Sequence, residues 1–161
     1  MKTQTTFSER DYAATLHETT VKEAIQEYGW HVRRFDIAVC PQVIRDNAGF
    51  NYHRVRWAPD FDIWSPNYRT QVLIDAKTSL SDTTNWAIEL ESFDVMRELC
   101  RAFNVNGFFV LPDMTAIHVT RLWRTKFAAQ QLKSNGSGTP FILTPKEKHT
   151  NSLFDELSKL P

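Results

Sequence analysis

Asp60, Asp75 and Lys77, with Glu18 as a fourth, are the residues of this chain whose types and spacing suggest chemistry. The first three border two runs rich in β-branched and aromatic residues, 55–64 and 71–77, separated by the turn-forming Pro66-Asn67-Tyr68-Arg69. A hairpin symmetric about that turn sets Trp64 against Gln71, Ile63 against Val72, Asp62 against Leu73, Phe61 against Ile74, and Asp60 against Asp75. Alternation then puts Asp75 and Lys77 on one face of their strand and Ile74 and Ala76 on the other. Like charges directly opposite destabilise a sheet, and a cation between the carboxylates removes that cost. Hard cations such as magnesium take oxygen ligands. Asp60 and Asp75 supply two carboxylates, and the carbonyl of Ala76 is the candidate third oxygen. Water bound to such an ion has a lowered pKa and becomes a nucleophile for phosphodiester hydrolysis. Lys77 is placed to orient that water or to offset charge building on the phosphate. The residues themselves therefore point to a metal-assisted phosphodiesterase site.

The elements that must position this site can be read in outline. A first helix is expected over residues 8–28, with Ser8 and Asp11 as an approximate capping box and Gly29 just beyond its end. At 100° per residue Ala14, Val21, Ile25 and Tyr28 share a face, and Glu18 falls on that same face, where a carboxylate is informative. Residues 30–39 read as the first strand and 78–85 as a polar loop. A second helix is expected from about residue 87 or 92 to 103, with Phe93, Met96, Cys100 and Phe103 as its apolar stripe. Asn106-Gly107 is expected to turn the chain into the buried strand 108–111, with a further strand over 116–120. Residues 121–132 are expected to form a third helix, 134–138 a linker-like stretch, and the tail a short extended piece and a terminal helix. This order predicts an α/β core around a mixed sheet.

Bulk properties narrow the class. The chain has 161 residues, 42% of them hydrophobic, with five Trp and eleven Phe, enough for one domain with a real core. No apolar run approaches the roughly 18 residues that span a bilayer, and the N-terminus lacks an apolar signal core. With two cysteines, Cys40 and Cys100, expected to be reduced and buried, a cytoplasmic location is expected. Net charge is zero, yet the stretch 114–146 holds Arg121, Arg124, Lys126, Lys133 and Lys146 and no acid, and His53, Arg54 and Arg56 precede the hairpin. Arg54, Arg56, Thr78, Arg121, Arg124 and Lys126 are the candidate phosphate contacts.

Pro59-Asp60 followed by Asp75-Ala76-Lys77 resembles the signature of the PD-(D/E)xK nuclease superfamily. Glu18, eleven residues before Gly29-Trp30, resembles the helix glutamate of that superfamily's archaeal-type Holliday junction resolvases. The resemblance spans about residues 8–120, leaving 121–161 as a C-terminal extension of a single 1–161 domain. It implies a restriction-endonuclease-like αβββαβ core, a central mixed sheet flanked by helices. It also implies a magnesium-dependent DNA endonuclease, with manganese able to substitute, that is a homodimer, and junction selectivity and a phage or mobile-element origin are further expectations. Asp60 and Asp75 become metal ligands, Lys77 the catalytic lysine and Glu18 the accessory acid. Asp62 is a rival ligand, and Glu89 or Glu91 a candidate further acid. The alternative from another class is a non-catalytic nucleic-acid-binding or subunit module of the same fold.

Overall fold

The computed structural model describes residues 7–35, 57–78, 84–122, 132–134 and 140–161. The first helix, α1 (Phe7–Glu27), ends where the sequence predicts. Gly29 adopts φ +91°, its N–H donates to the Gln26 carbonyl at 2.9 Å, and the Trp30 N–H reaches the Ile25 carbonyl at 3.1 Å. These are the paired bonds of a Schellman motif, which needs a residue at ease in the left-handed region. At the other end Ser8 already lies inside the helix, so the expected capping box is not at its start.

A five-stranded sheet receives α1. It contains β1 (His31–Arg34), β2 (Phe61–Trp64), β3 (Gln71–Ala76), β5 (Asn106–Val110) and β6 (Ala116–His118), in the order β1-β2-β3-β5-β6. Only β3 and β5 run parallel among these neighbours. The hairpin register is the expected one, with Phe61 opposite Ile74 and Trp64 opposite Gln71. The strand before the turn is shorter than expected, because residues 57–60 form a turn and bend leading into β2. Val72, Leu73 and Ile74 are fully buried, as suits a central strand covered on both faces.

The two faces have different cover. Phe61, Ile63, Val72, Ile74 and Val110 pack with Val21 and Ile25 of α1 and with Leu153 and Leu157 of a C-terminal helix, α3 (Leu153–Leu157). Leu73, Phe109 and Ile117 pack with Phe93, Met96 and Cys100 of α2 (Leu90–Phe103) and with Trp86, Ile88 and Ile142 of a second sheet. That sheet holds β4 (Asn85–Glu89), β7 (Leu132–Ser134) and β8 (Pro140–Pro145) in the antiparallel order β4-β8-β7. The whole is a mixed α/β fold with helices on both faces of its central sheet.

Three further expectations change. Residues 87–89, allowed above to begin the second helix, belong to β4, and α2 starts only at Leu90. The turn after α2 is made by Asn104 at φ 55°, whereas Gly107 lies within β5. Helix begins at residue 119 rather than 121, and of the expected third helix only 119–122 is described.

α3 is fastened to the body by charge. Glu156, 6% exposed at its side chain, takes both Arg121 guanidinium nitrogens at 2.8 and 3.2 Å, Lys159 at 3.2 Å and the Asn151 amide. Burial alone would raise its carboxyl, but Arg121, Asn151 and Lys159 outweigh burial and hold it at about 2 instead of 4.5. A depressed carboxylate contributes stability above its unfolded value and loses it as pH falls through the folded one. Melting temperature should therefore drop as pH falls from about 4.5 toward 2. Arg121→Gln should cost about 2 kcal/mol at pH 7, less than the ~3–5 kcal/mol of breaking a fully buried pair because Lys159 and Asn151 remain. Its acid loss should also be shallower. Circular-dichroism melts across pH check both, and an unchanged melt at pH 7 would refute the fastening role.

Candidate active site

Asp60, Asp75 and Lys77 meet where β3 ends and β2 begins. β3 and β5 are parallel, so this is the carboxyl end of the parallel pair, the usual place for a site in such sheets. The β2–β3 ladder stops at Phe61, and Asp60, one residue earlier, turns its carboxylate onto the main-chain N–H of Ala76 at 2.7 Å. Asp60 thereby substitutes for a further strand residue and is held beside Asp75. Asp75, 3% exposed, accepts a 2.6 Å hydrogen bond from Ser92 Oγ in the first turn of α2. The same carboxylate oxygen lies 3.0 Å from Lys77 Nζ. Lys77 is fixed through its backbone as well, its N–H donating to the Val110 carbonyl at 2.8 Å.

The electrostatics are those of crowded acids. Burial, and after it the neighbouring Asp75, raises the Asp60 carboxyl well above the usual carboxylate range; Glu18 adds to the rise and Lys77 opposes it. For Lys77 burial alone would favour loss of the proton, but Asp75, Glu89 and Asp60 outweigh it and raise its proton affinity above the ordinary lysine value.

Glu18 extends from α1 toward the same end of the sheet, close enough to act on Asp60, and its Oε2 pairs with Arg34 at 2.8 Å. Asp62 stands apart from the cluster. Its carboxylate is fully buried and bound by Arg33 and by Gln71 Nε2 at 2.8 Å, so its oxygens are already committed. Glu89 comes closer than its place in the sequence suggested. Ending β4 instead of opening a helix, it puts Oε2 3.3 Å from Lys77 Nζ, and that buried oxygen accepts no hydrogen bond. Glu91 lies in the first turn of α2.

Ser92 is the member of this cluster that the sequence reading passed over. It is a 1%-exposed hydroxyl at the start of an apolar helix stripe. That placement was its only signal, because its partner is seventeen residues away.

Of the candidate phosphate contacts, Thr78 is exposed directly after Lys77, while Arg121 is committed to Glu156. Arg54, Arg56, Arg124 and Lys126 lie outside the described residues.

Chemically, two adjoining carboxylates are a hard oxygen donor set. Among the described residues no third Asp, Glu, His or Cys side chain completes a metal-ligand cluster with them, so a further protein ligand drawn from these residues would be a neutral oxygen, such as the Ala76 carbonyl expected from the sequence. The raised Asp60 carboxyl fits a place short of positive charge. The residues therefore suit a divalent cation.

No protein-family model and no curated protein matches the sequence. Among solved structures, the chain is similar to Hjc, a Holliday junction resolvase from Archaeoglobus fulgidus. The TM-score is 0.51 and the identity 14%, over 89% of this chain and 98% of that one. It also matches D212, a nuclease from a fusselovirus, with a TM-score of 0.46 and 11% identity over 97% and 92% of the two chains. The likeness to Hjc supports the restriction-endonuclease-like fold expected from the sequence, and Asp60 and Asp75-Ala76-Lys77 lie where β2 begins and β3 ends.

Proposed function

We propose that the chain is a divalent-metal-dependent nuclease that hydrolyses phosphodiester bonds of DNA. One observation carries the reading: two carboxylates adjoin at the end of a parallel strand pair, with an ammonium 3.0 Å from one of them. Asp60, Asp75 and the Ala76 carbonyl would hold Mg²⁺, or Mn²⁺ in its place. A bound ion of this kind polarises a phosphate oxygen and makes an attacking water more acidic. The chain's own groups do the rest. Ser92 and the Ala76 N–H fix the two carboxylates in place. Lys77, held by Asp75 and Glu89, offers an ammonium donor to the attacking water or to the charge that grows on the phosphate. Glu18, tethered by Arg34, is an accessory acid at the rim. Thr78, together with Arg54, Arg56, Arg124 and Lys126, is proposed to contact the DNA backbone. A homodimer is proposed as well, since cutting both strands of a duplex calls for two such sites, and four-way junctions are the first structured substrate to try.

The test offers the protein linear duplex, single strand, flap and four-way junction DNA with Mg²⁺ or Mn²⁺. Cleavage should require the metal and should be lost in Asp75→Ala and in Lys77→Ala. Binding of DNA with no cutting of any substrate would favour the non-catalytic module of the same fold.

A further inference from the structure

We propose that the face of β1 and β2 beside the acid cluster is a stacking subsite for an unpaired nucleobase. The inference rests on the nuclease reading above and deepens it.

A cavity of about 300 Å³ lies there, lined by His31, Val32, Arg33, Trp64 and Tyr68. Register sets His31 opposite Trp64 and Arg33 opposite Asp62, so these four share one face of the sheet. Strand alternation carries that face on to Asp60 and, through Leu73, to Asp75. The subsite and the acids thus belong to one face of the sheet. Trp64 is four residues from Asp60, about 13 Å along an extended strand, a separation of a few nucleotides.

The aromatic rings are already arranged for stacking. Tyr68 is 62% exposed, and its ring lies parallel to His31, with 8° between the planes and 4.3 Å between centroids. It holds this place at φ 57°, a backbone region where a bulky side chain is uncommon. Charge favours a polyanion. Among the described residues the lining includes Arg33 and no acid, exposed Arg69 adjoins Tyr68, and the Asp62 carboxylate that pairs with the exposed Arg33 is itself fully buried. Flat rings beside cations accept any base, which is how single-stranded nucleic acid is held without sequence readout.

The probe is DNA carrying 2-aminopurine, either in a one-base bulge or fully paired, bound in EDTA so that nothing is cut. Tyr68→Asn removes the ring and suits the left-handed turn, and Tyr68→Trp keeps a ring. The bulged base should change its emission on binding to the wild type and to Tyr68→Trp. Tyr68→Asn should bind the bulged probe roughly 5- to 100-fold more weakly, with a smaller loss on the paired one. Equal binding of the bulged probe by Tyr68→Asn and wild type overturns the subsite, as does a wild-type preference for paired DNA. A concentration-dependent dimer that Tyr68→Asn dissolves, seen by light scattering, also overturns it, because the face would then join two copies of the chain. Metal-dependent cutting by the wild type alongside either result leaves the nuclease reading intact. A wild type that neither binds nor cuts DNA ends both.

Discussion

Asp60→Asn should make the metal-free protein more stable while lowering metal-dependent DNA cleavage by at least about a hundredfold, the scale on which loss of one preorganised charge-stabilising group is felt. The two effects share a cause. Asp60 is partly buried beside Asp75, so its ionised form is disfavoured in the fold, first by burial and then by that neighbour. A carboxyl whose folded pKa is raised favours the fold at low pH, and that contribution is lost as pH rises through the folded value. At pH values above the ordinary carboxylate range Asp60 therefore opposes folding, either by holding a disfavoured charge or by taking up a proton as the chain folds. Asparagine removes the charge, and its amide oxygen still accepts from the Ala76 N–H now bound at 2.7 Å. A purely structural acid would behave in the opposite way, since cutting a favourable ion pair lowers stability. Thermal melts in EDTA, repeated with Mg²⁺, separate the cases. The ion should raise the wild-type melting temperature by mass action and should do little for the variant. A variant that melts lower than wild type in EDTA, or that cleaves normally, would remove Asp60 from the site.

That site was legible because its geometry is local. Once the turn 65–70 is placed, period-two alternation fixes which residues face which, so Asp60, Asp75 and Lys77 follow from one hairpin. Gly29 was legible for a similar reason, since a left-handed residue after an apolar helix is a local demand. The parts that could not be read depend on distant chain. Residues 85–89 become β4 because 141–145 pair with them, and a short apolar run does not by itself declare helix or strand. The contact of Glu89 with Lys77 depends on that pairing, and Ser92 found its role only when α2 was laid across the end of β3. Arg121 was read as part of a basic stretch, and its commitment to Glu156 required α3 to fold back thirty-five residues later. Asp62 was a rival ligand by alternation alone; Arg33 and Gln71, brought by β1 and by the turn-side end of β3, account for it.

Gly107 shows how a residue read as a turn can serve packing instead, and Gly107→Ala should be among the most damaging single-methyl changes in the described fold. Its backbone needs no glycine-only conformation, so what matters is space. A Cβ there would sit 2.4 Å from Cys100 Sγ and 2.7 Å from Met96 Sδ, both far inside contact distance. Residue 107 pairs with Leu73 of the central strand, and Cys100 and Met96 line the underside of α2, so the missing side chain lets helix and strand approach closely. Alanine would gain up to about 1 kcal/mol by restricting the unfolded chain, against overpacking of ~1–3 kcal/mol. A net loss of about 2 kcal/mol is expected where the helix cannot retreat, lowering the melting temperature by about 6 °C for a chain of this size. Met96 is flexible and can swing away, whereas Sγ of Cys100 can move only by rotation about its Cα–Cβ bond, among the three staggered positions. The double variant Cys100→Ala/Gly107→Ala should therefore melt above the sum of the two single losses, with a coupling of about 1 kcal/mol for directly touching residues. Cleavage should be affected less than the melt in Gly107→Ala, because Asp75 lies two residues beyond Leu73, the partner of residue 107, toward the carboxyl end of β3. Additive single losses would place the clash elsewhere and detach Gly107 from the packing of α2 on the sheet.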